Sequence, residues 1–226
     1  MNINSAIAMP LKFYTPAPDR APQTTEPALS DVLTNQKKKE ALAKEFYTKE
    51  EEPWKGKFFY YGDDIIKSEL REMTKDNYLG FAELEASNEF SKQYYFFHKL
   101  KDQISDTRPD LADKKFSFTL GDDAEIKILD SGKSLSDDDL NWLTRVINSD
   151  VDLKSSVRQG AKLIMSIIDH DPKNFSGKTN LSLLNFQHIV DLGKALTDPH
   201  SLMEGWMKQV KEHDERNGNS LIDTYA

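Results

Sequence analysis

Phe116-Ser117-Phe118-Thr119-Leu120, then Gly121-Asp122-Asp123-Ala124, then Glu125-Ile126-Lys127-Ile128-Leu129: the reading of this stretch decides the fold. Both arms alternate apolar and polar residues with period two around a Gly/Asp turn, the pattern of an antiparallel hairpin with one apolar face. A lone hairpin is marginal in water. It is therefore expected to pack on helices or to gain a third strand, for which residues 57–61 are the candidate. The remaining periodic segments repeat at helical spacing, so the expected class is α+β and mainly α.

Downstream of the hairpin the chain reads as helical to its end. Ser136 with Asp139 forms a capping-box-like entry to a helix whose stripe is Leu140, Leu143, Val146 and Ile147. A second helix is expected from about Asp152 to Asp169, burying Leu153, Val157, Ala161, Ile164 and Ile168. A third, Leu181–Leu196, is apolar nearly all round, which marks it as the centre of a C-terminal four-helix bundle. Asp198-Pro199 supplies an N-cap and an N1 proline for the fourth, which carries Leu202, Met203, Trp206, Met207 and Val210.

Upstream, Ser30 is placed to cap a helix that runs to about Glu52 and stops at Pro53. Lys55–Tyr61 with its Phe58-Phe59-Tyr60-Tyr61 run reads as a short buried strand or an aromatic loop. A helix is expected from Asp63 or Asp64 through Lys75, using Ile65, Ile66, Leu70 and Met73, and a longer one from Phe81 to Ile104. The expected organisation is a disordered arm (1–29), an aromatic-rich helical region (30–113), the hairpin with the helical bundle (114–216) and a frayed tail (217–226). Eighteen of the 23 aromatic residues lie in residues 1–120, which suggests two subdomains joined near 105–115, with one continuous core as the alternative.

Five of the nine prolines fall in residues 1–29, among Thr and Gln residues and few large apolar side chains. Such a segment lacks the burial needed to offset ordering entropy. Leu11, Phe13 and Tyr14 are its one sticky spot and its candidate partner-binding residues. The chain has no Cys, which removes disulfides, thiolate chemistry, zinc fingers and iron–sulfur clusters. No window approaches the roughly 18 apolar residues of a membrane span, and the N-terminus has neither a secretory nor a transit pattern. The default expectation is cytoplasmic. A net charge of −8 argues against nucleic acid as the main partner. Lys37-Lys38-Lys39, and Lys92, Lys99 and Lys101 around Tyr94–Phe97, form a basic, aromatic stripe, but helical periodicity already assigns most of those aromatics to a core face.

Several patterns invite a chemical reading. Ser176-Gly177-Lys178-Thr179 resembles part of a phosphate-binding loop, but Pro172 stands where the first glycine of that loop is required. No register of the acidic Asp122–Asp139 stretch satisfies a calcium loop, so hairpin-turn chemistry and first-turn helix acids account for it better. The five histidines do not cluster. The repeated Leu-Asn-aromatic tripeptides at 140–142 and 184–186 hint at a duplicated helix pair. The strongest candidate is Asp169-His170-Asp171, where two carboxylates at a helix C-terminus oppose the macrodipole. These three are the candidate catalytic residues, for acid–base chemistry or for a divalent metal of unknown identity. No cofactor is implied.

The Pro- and Thr-bearing start, whose first acidic residue is Asp19, resembles the leaders of bacterial proteins exported by type III injection machines. The resemblance is compositional and covers about the first 30 residues. It implies export without a cleaved signal peptide, as an alternative to a cytoplasmic location. Three functions are therefore carried forward. The first is a non-catalytic protein-interaction module, with a bacterial secreted effector as its most specific form and an unidentified protein as partner. The others are a small metal-dependent or acid–base enzyme at Asp169-His170-Asp171, and an intracellular regulator that self-associates through exposed aromatics.

Overall fold

A computed structural model describes residues 29–55, 57–61, 68–175, 179–197 and 201–222, with side chains placed for 32–55, 73–175, 179–197 and 201–216. The arm, with Leu11, Phe13 and Tyr14, lies outside the described residues. The elements in order are α1 (Leu29–Phe46), a 3-10 turn (Pro53–Lys55), β1 (Lys57–Tyr61), β2 (Ser68–Glu72) and α2 (Lys75–Thr107). A second 3-10 turn (Pro109–Leu111), β3 (Ser117–Leu120) and β4 (Ile126–Leu129) follow. Then come α3 (Asp137–Ser149), α4 (Val151–His170), α5 (Leu183–Ile189), α6 (Leu192–Ala195) and α7 (Leu202–Ile222). The protein is mainly helical, with small two-stranded antiparallel sheets.

The hairpin forms as the alternation requires: Phe118 pairs with Ile128 and Leu120 with Ile126, and Phe118, Leu120 and Ile126 are fully buried. It stays two-stranded, and the strand at residues 57–61 does not join it. That strand pairs instead with Ser68–Glu72, in a register that sets Lys57 opposite Glu72 and Phe59 opposite Leu70. The sequence reading of one hairpin is therefore corrected to two, and the helix expected from Asp63 through Lys75 is absent over 68–72; residues 62–67 lie outside the described residues. The run Phe58–Tyr61 has strong strand propensity, and a strand's exposed amides and carbonyls need a partner. Pairing overrides the helical spacing of Leu70 and Met73. Thr74 then caps α2, accepting from the Asn77 amide at 3.2 Å, so α2 starts six residues before Phe81.

The expected Leu181–Leu196 helix is also corrected: it is broken into α5 and α6 at Val190-Asp191, both extended. Asp191 accepts from the Lys194 amide at 2.8 Å and caps α6. The side-chain amide of Gln209 on α7 pairs with both main-chain groups of Asp191, at 2.7 and 3.0 Å. Thr119 on β3 donates to the Val190 carbonyl at 2.6 Å, and Ser117 donates to the Asp191 carboxylate. The main-chain groups of Val190 and Asp191 at the break thus have partners. Asn148 on α3 plays the same part at the hairpin, its amide pairing with both the N–H and the C=O of Ile126 at 2.8 Å.

The middle of the fold is α2 lying along α4, rather than the Leu181–Leu196 segment. Buried residues from Ala82 to Val210 form one cluster that joins α2, the hairpin and α3 to α7. Small residues make the α2–α4 seam close: Ala86 and Ala161 are fully buried, and Gly160 faces Gln93. Gln93 Nε2 donates to the Ser156 carbonyl at 3.0 Å, and the Ser156 hydroxyl donates to the Glu89 carboxylate at 2.7 Å. Charged pairs tie the periphery to this core. Lys39 of α1 reaches Asp122, Lys154 and Arg158 hold Glu125, and Arg108 and Lys114 hold Asp139.

Candidate functional site

The corner at Asp169-His170-Asp171 is where the chain between α1 and β1 is anchored. α1 ends at Phe46, six residues before the Glu52 expected from the sequence, and residues 47–52 leave the helix to run past the end of α4. Tyr47 donates to Asp169 Oδ2 at 2.9 Å, and Lys49 Nζ stands 3.9 Å from Asp169 Oδ1. His170 is buried with Nδ1 2.8 Å from the Ser166 carbonyl and Nε2 2.8 Å from the Glu50 carbonyl. Trp54 and Tyr78 meet its ring edge-to-face, at centroid distances of 5.8 and 5.9 Å. Asp171 turns the other way. Its carboxylate accepts from the Lys173 and Asn174 amides at 3.2 Å and from Asn174 Nδ2 at 2.6 Å, closing the turn after α4.

The three residues at this helix end therefore have separate tasks. A cavity of about 370 Å³ opens beside them, lined by Tyr47, Glu50, Tyr78, Ser166 and His170 among others. A general base needs a free lone pair facing its substrate, and both nitrogens of His170 are directed at main-chain carbonyls. An activated nucleophile needs a base at hydrogen-bond distance; Ser166 Oγ pairs with the Tyr78 hydroxyl at 3.0 Å instead. Burial, reinforced by the Asp169 carboxylate, pushes the Tyr47 phenol above its ordinary range. Among the described residues no group of three or more His, Asp or Glu is placed to hold a metal ion.

The acidic hairpin and α3 entry are likewise accounted for inside the chain. Asp123 takes Lys127, and Asp139, the N3 residue of the capping box, is held well below the usual carboxylate range by Lys114, the Ser136 amide and hydroxyl, and Arg108. Of the Ser176–Thr179 loop only Thr179 is described, and its hydroxyl donates to Asp214. His98 packs on Tyr94, His188 lies beside Gln187 and His213 beside Asp214, three separate places. The Leu-Asn-aromatic echo falls on different helix positions, since Asn185 completes the capping box of α5 whereas Asn141 is exposed on α3.

Among the described residues, three of the large apolar side chains left more than half exposed lie on α2. Its core face is Ala82, Ala86, Phe90, Gln93, Phe97, Leu100 and Ile104, all buried. At about 100° per residue, Phe81, Leu84 and Tyr95 point the opposite way. They are 57%, 58% and 62% exposed. Beside them a groove of about 700 Å³ runs between α2 and the start of α4, past Lys92, Phe96, Arg158 and Lys162 to Val151, which is 75% exposed. Helical periodicity assigns most of the Tyr94–Phe97 aromatics to the core, yet Tyr95 faces outward; the spacing of Phe81, Leu84 and Tyr95, three and then eleven residues, returns each to the same face and is the signal for it. Among the described residues no helix is long and apolar enough to cross a membrane. Compared with protein-family models, with curated proteins and with solved structures, the chain matches none.

Proposed function

We propose that this chain is a protein-interaction module whose working surface is the outer face of α2. The observation that carries this reading is the stripe of Phe81, Leu84 and Tyr95 diametrically opposite the core face of a 33-residue helix. Single exposed apolar residues are ordinary, whereas aligned ones rimmed by charge mark docking surfaces. Here Glu85, Lys92 and Lys99 form the rim. The closely packed α2–α4 seam behind the stripe fixes the helix that carries it, which lowers the entropic cost of binding. The Asp169-His170-Asp171 corner supports this reading from the other side, because each of its groups is engaged in holding the fold.

A photo-cross-linking residue placed at position 84 or 95 tests the surface, with position 141 on exposed α3 as control. Adducts specific to 84 and 95 in the source cell are the expected result. Labelling no greater than at 141 overturns the assignment. The leader-like composition of residues 1–29 supports an export address as a second element of the same reading. Fractionation of the full chain beside its 1–29 deletion tests that element: only the full chain leaves the cell if the address exists, and equal distribution of both removes it.

A further inference from the structure

We infer that the partner covering the α2 stripe is a second copy of this chain, the two α2 helices packing antiparallel about a twofold axis between Asn88 and Ser91. The inference rests on the interaction reading above and names its occupant. The exposed positions Phe81, Leu84, Asn88, Ser91, Tyr95 and His98 are spaced three, four, three, four and three, the alternation that keeps a seam facing a partner helix. Asn88 is exposed at one of the inward-facing positions of that repeat, where a polar residue fixes register at some cost in stability.

Orientation follows from the order of the residues. In an antiparallel twofold pair, residue i of one copy meets residue j of the other with i + j constant. A single constant, 179, brings Leu84 to Tyr95, Asn88 to Ser91 and Phe81 to His98, each twice. Leu84 then meets Tyr95 on either side of the axis, Phe81 meets the His98 ring at both ends, and hydrogen-bonding groups meet at the axis. The flanks agree. Residues 85, 92 and 99 share one flank, and this register sets Glu85 near Lys92 of the other copy on both sides of the axis. Lys92 already bridges to Glu89 at 2.7 Å on its own helix but is 57% exposed at the side chain, so it is free to be shared. A parallel pair in the same seam stacks Asn88 on Asn88 and Tyr95 on Tyr95 and sets residues 80, 87 and 94 (Gly, Ser, Tyr) against the 85/92/99 flank. It offers no charge complement. Complementary flank charges are what select orientation in helix pairs.

The absence of Cys makes the test clean. The full-length chain is measured by sedimentation and light scattering, alone and as L84D, Y95D, E85K and the E85K/K92E exchange. The expected result is a dimer weakened about tenfold or more by L84D or Y95D, weakened by E85K and restored by the exchange, with circular dichroism unchanged throughout. Oxidative cross-linking gives the orientation. A mixture of L84C and Y95C chains is expected to link, whereas F81C alone does not, its two copies lying about 25 Å apart along the seam. A dimer that links through F81C is parallel and overturns the proposal. A chain that stays monomeric while positions 84 and 95 photo-cross-link to another protein refutes the second copy and leaves the interaction reading standing. A monomer without adducts at either position refutes both.

Discussion

Replacing Gly160 by alanine places a methyl group where the structure has an amide. A Cβ at that position lies 2.6 Å from Gln93 Nε2, well inside contact distance. The neighbour is the end of a flexible side chain, but Gln93 is fully buried at the α2–α4 seam and its Oε1 already lacks a hydrogen-bond partner. Displacing Nε2 breaks its bond to the Ser156 carbonyl, a loss of about 1 kcal/mol, and strands a buried amide, a further ~1–3 kcal/mol. Alanine's better helix propensity returns about 0.9 kcal/mol. The net is a destabilisation of about 2 kcal/mol, or a fall in Tm of about 4–8 °C for a chain of this size. The sign reverses once Gln93 is gone. In a Gln93→Ala background the new methyl enters vacated space and the propensity gain remains, so Gly160→Ala is expected to stabilise by about 1 kcal/mol. Urea titrations of the four proteins in this double-mutant cycle yield a coupling of about 3 kcal/mol if the argument holds. A Gly160→Ala single variant as stable as the parent, or a coupling near zero, refutes the claim that the seam is closed around that amide.

Gly193→Ala is expected to be worse tolerated, because its Cβ would fall on Ser117 Oγ and 3.0 Å from the Phe118 main-chain nitrogen, which cannot swing away. Thermal unfolding should show a loss at the upper end of the ~1–3 kcal/mol typical of overpacking, with the near-ultraviolet signal of the hairpin region altered. Asp139→Asn should flatten the acid limb of Tm against pH. The carboxylate's ordinary value is about 3.9 and its folded value is lowered by Lys114, Ser136 and Arg108. The stability it supplies is therefore complete above the ordinary value and is lost as pH falls below it; an unchanged acid limb contradicts this. Tyr47→Phe acts at the other end. The phenol's value is raised above about 10 by burial and by Asp169. Its contribution is complete below the ordinary value and is lost as pH rises past it, so the variant should lose stability at neutral pH and show a flatter alkaline limb.

The hairpin and the entry of α3 were legible because each is specified by residues a few positions apart. Period-two alternation across Phe116–Leu129 and the Ser136/Asp139 reciprocal cap need nothing from the rest of the chain. The two misread segments depend on distant partners. Leu70 and Met73 carry helical spacing, but the strand over 68–72 is dictated by Phe58–Tyr61. The break at Val190-Asp191 is held open by Gln209 from α7 and by Thr119 and Ser117 from β3. Asp191 as a potential cap and Gly193 behind it were local hints, outweighed by the continuous run of leucines around them.

The same distinction governs the functional reading. Asp169-His170-Asp171 drew attention in the sequence because two acids at a helix C-terminus break a local electrostatic rule, and broken rules concentrate at functional sites. In the fold each exception has its own compensation: Tyr47 and Lys49 meet Asp169, and two main-chain amides with Asn174 meet Asp171. Asp169 and His170 thus hold residues 47–50 against the end of α4, and Asp171 closes the turn that follows. The stripe on α2 breaks a rule as well, with large apolar side chains set opposite a complete core face and each left more than half exposed. The second copy proposed above would satisfy it from outside the chain. In the proposed dimer the register that pairs Leu84 with Tyr95 also pairs Glu85 with Lys92, so one twofold rotation would cover the apolar exposure and match the charges together.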